Sequence, residues 1–379
     1  MSRRTLCLLI LLSVLSIAEP RSLATSIERN PTKRKGAGPL FQVRRGKRWG
    51  YMNRSGQIVI DPQFNYEGDF FHGLARVWKD HKWGYVNEKG ELTIPFQFDD
   101  ALDFVGDLAP VRSGRKWGYI DVNGRPVVSA TFQAAGEYFD GFARVLRWSQ
   151  INCARSSYTD ENAPDYVYVL PTIETFLTSR CSPIGPKYGF LERAGNMAID
   201  LKFDDAEDFS EGLAKVSIGG KVGYIDERGR VAITPRFCDT QSFSEGLAQA
   251  QLDGKFGYIN RAGEWVIKPT FEFGGRFVDG LARVEPAVGK GWGFIDKAGN
   301  IVIKPQYDQA WDFSEGLAPV WKNNEWIYIN RTGRAVFKTD KHAQWGFSDG
   351  LTVIGEHGDR VYIDKTGKII APYEEGDEF

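Results

Sequence analysis

Trp49-Gly50-Tyr51, Trp83-Gly84-Tyr85 and Trp117-Gly118-Tyr119 recur at a spacing of 34 residues, and each is followed by a second glycine, Gly56, Gly90 and Gly124. The same frame continues at Tyr188-Gly189, Val222-Gly223, Phe256-Gly257, Trp292-Gly293, Trp326-Ile327 and Arg360-Val361. Successive spacings are 34, 34, 71, 34, 34, 36, 34 and 34, which makes nine units with one long gap of a period plus 37 residues. A fixed period of this length marks a repeat architecture, in which each unit buries its core against its neighbours.

Two further markers run in step. Phe-x-x-Gly-Leu-Ala-x-Val, in more or less complete form, begins at Phe70, Phe104, Tyr138, Phe209, Phe243, Phe277, Phe313 and Phe347, with Asp107 in place of the glycine in the second. An apolar run followed by Pro-x-Phe or Pro-x-Tyr is seen at Ile60-Asp61-Pro62-Gln63-Phe64 and Ile303-Lys304-Pro305-Gln306-Tyr307. Trp83 and Tyr85 are two apart, so they share one face of a strand, and Gly84 and Val86 share the other. Asn87-Glu88-Lys89-Gly90 carries the residue types of a type I turn, and Asp121, Asp226 and Asp296 begin the same four-residue pattern. Proline cannot donate to a ladder, so it marks a strand end or a sheet edge. No stretch has a helical period of useful length. Each unit reads as a meander of three strands, too thin to cover its own faces.

Lys116-Trp117-Gly118-Tyr119-Ile120-Asp121, with Gly-Leu-Ala-x-Val and Pro-x-Phe-Asp in phase, resembles the WG-repeat family, also called KWG repeats. The resemblance covers residues 39–379 apart from an inserted segment at 146–187. It implies a repeat array and no single activity, in a family that is mostly bacterial and largely uncharacterised. The motif is eroded at Val222, Ile327, Arg360 and Val361, which counts against a chemical role for the tryptophan.

The expected fold is all-β: a tandem array of about nine three-stranded β-meander repeats of 34 residues, in an open solenoid-like stack. A β-propeller is the alternative. The array starts near Leu40 and ends near Pro372-Tyr373 at the same phase, without the strand mixing that often closes a propeller. Three strands are also few for a blade.

The chain of 379 residues has 48 Lys+Arg against 49 Asp+Glu, a net charge of -1, so it lacks the basic footprint of a nucleic-acid binder. With 42% hydrophobic residues, it has material for a large core. Arg3 and Arg4 precede an apolar run from Leu6 to Ile17, the pattern of a secretory signal peptide. Residues 1–24 are expected to be that signal, cleaved after Ala24 or Ala18, with an uncleaved anchor as the alternative. A spanning helix needs about 20 apolar residues, and no other segment approaches that. Residues 25–38 read as a flexible linker. The expected location is outside the cytoplasm: periplasmic, cell-surface or secreted.

The conserved-phase acids Asp121, Asp226, Asp296 and Asp364 exchange with Asn53, Asn87, Asn260 and Asn330, which suits a turn cap better than a metal ligand. Asp99, Asp100, Asp204, Asp205 and Asp308 are likewise periodic, and no unique catalytic pair stands out among them. The four histidines lack metal spacing and are expected at the surface; no metal or cofactor is expected. Cys153 and Cys181 bracket the insertion, so a bridge between them is expected, with Cys238 as a buried small residue. The insertion breaks the period. It carries Trp148, Tyr158, Tyr166, Tyr168, Arg147 and Arg155, the expected binding residues, although a merely decorative hairpin fits it equally. The expected function is a non-catalytic scaffold for a protein, peptide or envelope glycan. The alternative is a carbohydrate-active enzyme using acids in or near the insertion, such as Asp160 and Glu161.

Overall fold

The computed structural model describes residues 39–147, 187–343, 345–356 and 359–373. The expected signal and linker lie outside them. The described residues form nine antiparallel sheets, six of four strands and three of three. We number the sheets in chain order: sheet 1 (41–64), sheet 2 (66–98), sheet 3 (100–132), sheet 4 (134–203), sheet 5 (205–237), sheet 6 (248–271), sheet 7 (273–307), sheet 8 (309–339) and sheet 9 (351–372).

Sheet 2 shows the unit. Tyr66–Glu67, Leu74–Lys79, Lys82–Asn87 and Leu92–Phe98 pair in chain order. The first of these strands corrects the expectation of three. It is two residues long in sheets 2, 3, 7 and 8, too short to show any alternation in the sequence. The last strand is a sheet edge, which is where the prolines fall.

The chain divides into two compact units, one of residues 97–235 and the other of the segments on either side. In the larger unit, one packing rule repeats. Tyr51, Ile60 and Phe64 of sheet 1 face Ala75, Val77 and Val86 of sheet 2. Tyr258 and Ile267 of sheet 6 face Ala282, Val284 and Ile295 of sheet 7. Tyr328 of sheet 8 faces Ile354 and Ile363 of sheet 9. The same rule then sets Tyr362 and Ala371 of sheet 9 against Val43 and Met52 of sheet 1. Turn glycines follow suit. A Cβ on Gly90 would lie 3.1 Å from Ile60 of the preceding sheet, and one on Gly56 would lie 3.1 Å from Ile370.

The two ends of the array therefore meet, as in a β-propeller; this replaces the expectation of an open stack. Equal phase at the two ends is compatible with closure because the ends join face to face. Sheets 1 and 9 exchange no strand. In the smaller unit, Phe190 and Ile199 face Ala214, Val216 and Ile225 by the same rule.

The glycine of the Trp-Gly motif has a geometric cause. Phe256 pairs with Phe271 and Tyr258 with Ile267, so the edge strand uses three intervening residues where its partner uses one. This bulge folds over Gly257, where a Cβ would lie 2.5 Å from the Ile267 carbonyl oxygen and 2.7 Å from the Pro269 nitrogen. Gly50, Gly84, Gly118, Gly189, Gly223 and Gly293 meet the corresponding backbone at 2.3 to 2.7 Å. In sheet 8, Ile327 stands in place of glycine. There Trp326, Ile327 and Tyr328 pair one to one with Thr339, Lys338 and Phe337, and the bulge is gone.

Candidate functional site

The repeated acids are built into turns. Asp121 Oδ1 accepts the backbone N–H of Asn123 and Arg125 at 2.9 and 2.8 Å. Asn260 Oδ1 accepts those of Ala262 and Glu264 at 3.0 Å, which explains the free exchange of Asp and Asn. The backbone bonds hold the Asp121 carboxyl below the ordinary range, and the Arg230 and Asn300 side chains, followed by backbone N–H groups, do the same for Asp226 and Asp296. Asp99 and Asp204, which follow the Phe of the third marker, accept the N–H of Gly114 and Gly219 at 2.6 and 2.7 Å.

A second set of acids carried no recognised signal in the sequence. Asp140, Glu245, Asp279 and Glu315 occupy left-handed positions just before the Gly of Gly-Leu-Ala or its variants, with φ from 48° to 53°. Each carboxylate accepts the N–H of the matching glycine one sheet on: Gly212, Gly280, Gly316 and Gly350, at 2.7 to 3.0 Å.

Half-buried ion pairs join the second strand of one sheet to the first-strand region of the next. Arg283 of sheet 7 reaches Asp312 of sheet 8 at 2.8 Å and donates from Nη1 to the Ala310 carbonyl at 2.7 Å. It lies 5.3 and 5.2 Å from the rings of Trp292 and Trp311. A Cβ on Gly275 would fall 2.5 Å from Asp312 Oδ1, so the clamp requires glycine there. The smaller unit repeats the arrangement with Gly136, Arg144 and Asp208, the ion pair being 3.3 Å long. Burial raises the Asp208 carboxyl despite that arginine.

Glu67 is 5% exposed, and its Oε2 has no hydrogen-bond partner. Burial first, and the charge of Asp69 second, push its pKa up to about 9 against the opposing pull of Arg44 and Arg76. Four of the seven equivalent positions hold alanine (Ala101, Ala135, Ala206 and Ala310) and the others Thr240, Gly274 and Gln344, so Glu67 is the one acid, an exception visible in the sequence once the repeat is aligned.

The motif aromatics are packing groups. Trp49 and Trp326 are buried, and Trp83, Trp117, Tyr188 and Trp292 are half-buried. Arginines lie over several of them: Arg44 over Trp49 and Arg76 over Trp83, both at 5.2 Å. Arg360, at the eroded motif position of the last unit, is half-buried beside Trp345 at 5.1 Å and Tyr373 at 6.0 Å, because sheet 9 has sheet 1 as a neighbour. The tyrosine of the motif is fully buried with its hydroxyl satisfied. Tyr51 and Tyr258 each donate to a carbonyl of the next sheet, Gly68 and Gly275, at 2.7 Å.

Of the expected binding residues, Arg147 alone is described. It is exposed, ends the strand Phe142–Arg147, pairs with Lys187, and donates to Thr131 Oγ1 at 3.3 Å. The insertion thus leaves from the hairpin joining the second and third strands of sheet 4, which in the other units is a short turn. Trp148, Tyr158, Tyr166, Tyr168, Arg155, Cys153 and Cys181 lie outside the described residues. Cys238 is exposed, against the expectation of burial, because it follows Phe237 at the end of an edge strand. His72 and His81 are exposed as expected; His342 is half-buried, 5.1 Å from the Trp326 ring.

Comparisons with known proteins agree with the repeat. No curated protein matches the chain. A eukaryotic initiation factor structure is similar over 82% of this chain and 90% of that chain, with 10% identity and a TM-score of 0.49. Virginiamycin B lyase from Staphylococcus aureus gives 10% identity over 71% of this chain and 92% of that one, with a TM-score of 0.32. The dihydro-heme d1 dehydrogenase NirN gives 13% identity over 85% and 77%, with a TM-score of 0.37. Likeness of this degree carries no functional argument. The model of the WG containing repeat matches seven times, at residues 49–83, 83–117, 117–146, 188–221, 223–256, 256–285 and 292–326. These matches span more than half of the sequence, and the chain belongs to the WG-repeat family.

Proposed function

We propose that the chain is an exported, non-catalytic binding scaffold for a protein, peptide or envelope glycan. One observation carries this reading. The carboxylates that recur through the array are committed to holding it together, as turn caps such as Asp121 and as links between sheets such as Glu245. A propeller of such repeats supplies a surface on which non-repeating features can be mounted, and an insertion in a repeat array is often on its binding face. The insertion at the Arg147 and Lys187 hairpin is the largest of these features.

The test is capture of partners by the purified chain, compared with a version in which residues 148–186 are replaced by a short turn like Asp253-Gly254. Loss of a saturable partner with unchanged melting supports the reading. Turnover of a glycan by the intact chain, abolished in Asp160→Asn or Glu161→Gln variants that still fold, overturns it.

A further inference from the structure

We propose that the hairpin rim of sheets 1 and 2 binds an acidic polysaccharide. This rests on the scaffold reading and names one ligand class for it. The hairpin of sheet 1 carries Arg44, Arg45, Lys47 and Arg48, and that of sheet 2 carries Lys79, Asp80, His81 and Lys82. The two hairpins thus carry six Lys or Arg and one Asp; Arg45, Lys47 and Arg48 are exposed, and Arg44, Lys79 and Lys82 are half-buried. Two matching hairpins in the same unit are balanced, Asp253 with Lys255 in sheet 6 and Lys322 with Glu325 in sheet 8, and that of sheet 9 has Glu356 and Asp359 against Arg360. The fold requires only a short turn at this place, so the surplus charge of sheets 1 and 2 is additional to what the repeat needs. Arg44, Arg45 and Arg48 are also strand residues of the first hairpin.

The two hairpins are joined through aromatic groups. Arg48 Nη1 donates to Asn65 Oδ1 at 2.8 Å, directly before Tyr66. Tyr66 is 51% exposed and meets Trp83 edge to face at 5.5 Å. Trp78, paired with both Tyr66 and Trp83, meets His81 at 5.7 Å. The patch therefore sets the exposed Tyr66 ring between the exposed Arg45, Lys47 and Arg48 of one hairpin and the half-buried Lys79 and Lys82 of the other. Forked guanidinium donors suit carboxylate or sulfate groups. The apolar C–H face of a sugar ring packs on an amphipathic aromatic surface. Because the net charge of the chain is only -1, attraction is local and is screened by salt.

The test measures binding of polygalacturonate by calorimetry, with neutral dextran and duplex DNA as comparison ligands. Three proteins are compared with the unaltered chain: Arg45→Gln/Lys47→Gln/Lys82→Gln, Tyr66→Ala, and a charge-matched control, Lys268→Gln/Lys304→Gln/Lys368→Gln, on exposed edge-strand and turn sites. Circular dichroism melts establish that each folds. The proposal expects salt-sensitive binding of polygalacturonate, weakened by about tenfold or more in the first triple variant and by several-fold in Tyr66→Ala, with the control little changed. No binding by the unaltered chain, equal loss in the control, or tighter binding of duplex DNA than of polygalacturonate overturns it. If it fails while partner capture still depends on the insertion, the scaffold reading stands.

Discussion

Gly257→Ala isolates the reason for the Trp-Gly motif. The added Cβ would lie 2.5 Å from the Ile267 carbonyl oxygen, 2.7 Å from the Pro269 nitrogen and 2.8 Å from the Lys268 carbonyl carbon. All three are backbone atoms of the bulge, so no side-chain rotation relieves the contact. The φ at this glycine is not in the left-handed region, so backbone strain is not part of the effect. Overpacking of this kind costs about 1–3 kcal/mol. Reduced entropy of the unfolded chain returns about 0.4–1 kcal/mol. The net expectation is a loss of about 1–2 kcal/mol. For a unit of this size, that lowers the melting temperature by roughly 2–8 °C. Differential scanning calorimetry with urea unfolding measures it. A variant within about 0.5 kcal/mol of the parent, the range of neutral surface changes, refutes the bulge argument.

Further expectations concern buried and half-buried polar groups. Glu67 stays protonated in the fold up to about 9, while in the unfolded chain it ionises near 4.5, so its proton stabilises the fold least at alkaline pH. Between those values stability should fall by about 1.4 kcal/mol per pH unit. Glu67→Gln should match the parent below pH 4.5 and exceed it by roughly 3 kcal/mol near pH 7; parallel stability profiles in urea would contradict this. Arg283→Met removes the nearer of the two cations beside the half-buried Asp312, leaving Arg276 at 3.9 Å, and should cost about 1–3 kcal/mol, with part recovered in Arg283→Met/Asp312→Leu. Chemical denaturation checks it, and equal losses in the single and double variants would count against the clamp. Tyr258→Phe removes the bond to Gly275 and leaves that carbonyl short of a donor, an expected loss of about 1–2 kcal/mol in the same assay.

The repeat was legible because its residues are fixed by backbone geometry. Gly257 is required under a bulge, Tyr258 fills a buried slot, and Asp226 or Asn260 caps a turn, so each leaves a periodic mark. The first strand was hidden because Tyr66–Glu67 is too short to alternate. Closure was hidden because the Tyr362 face meets Met52 by the same contact that joins neighbouring units, which leaves no separate signature. The functional surface was less legible still. A repeat displays what recurs, whereas Glu67 and the charges at Arg45 and Lys47 are departures from the pattern. They gain meaning only when the hairpins and first strands are aligned in space. The aromatic and basic residues expected in the insertion lie outside the described residues, apart from Arg147.

The meeting of sheets 1 and 9 is tested most directly by a distance between Gln57 and Lys368, exposed residues at matching turns of the two sheets. Nitroxides attached through ketone-bearing residues at these positions spare the native cysteines and can be read by pulsed electron resonance. Packed sheets lie about 10 Å apart, so with the label arms a narrow distribution near 20–30 Å is expected. An open array with eight such spacings would place the labels roughly 80 Å apart, and a distance in that range would contradict closure.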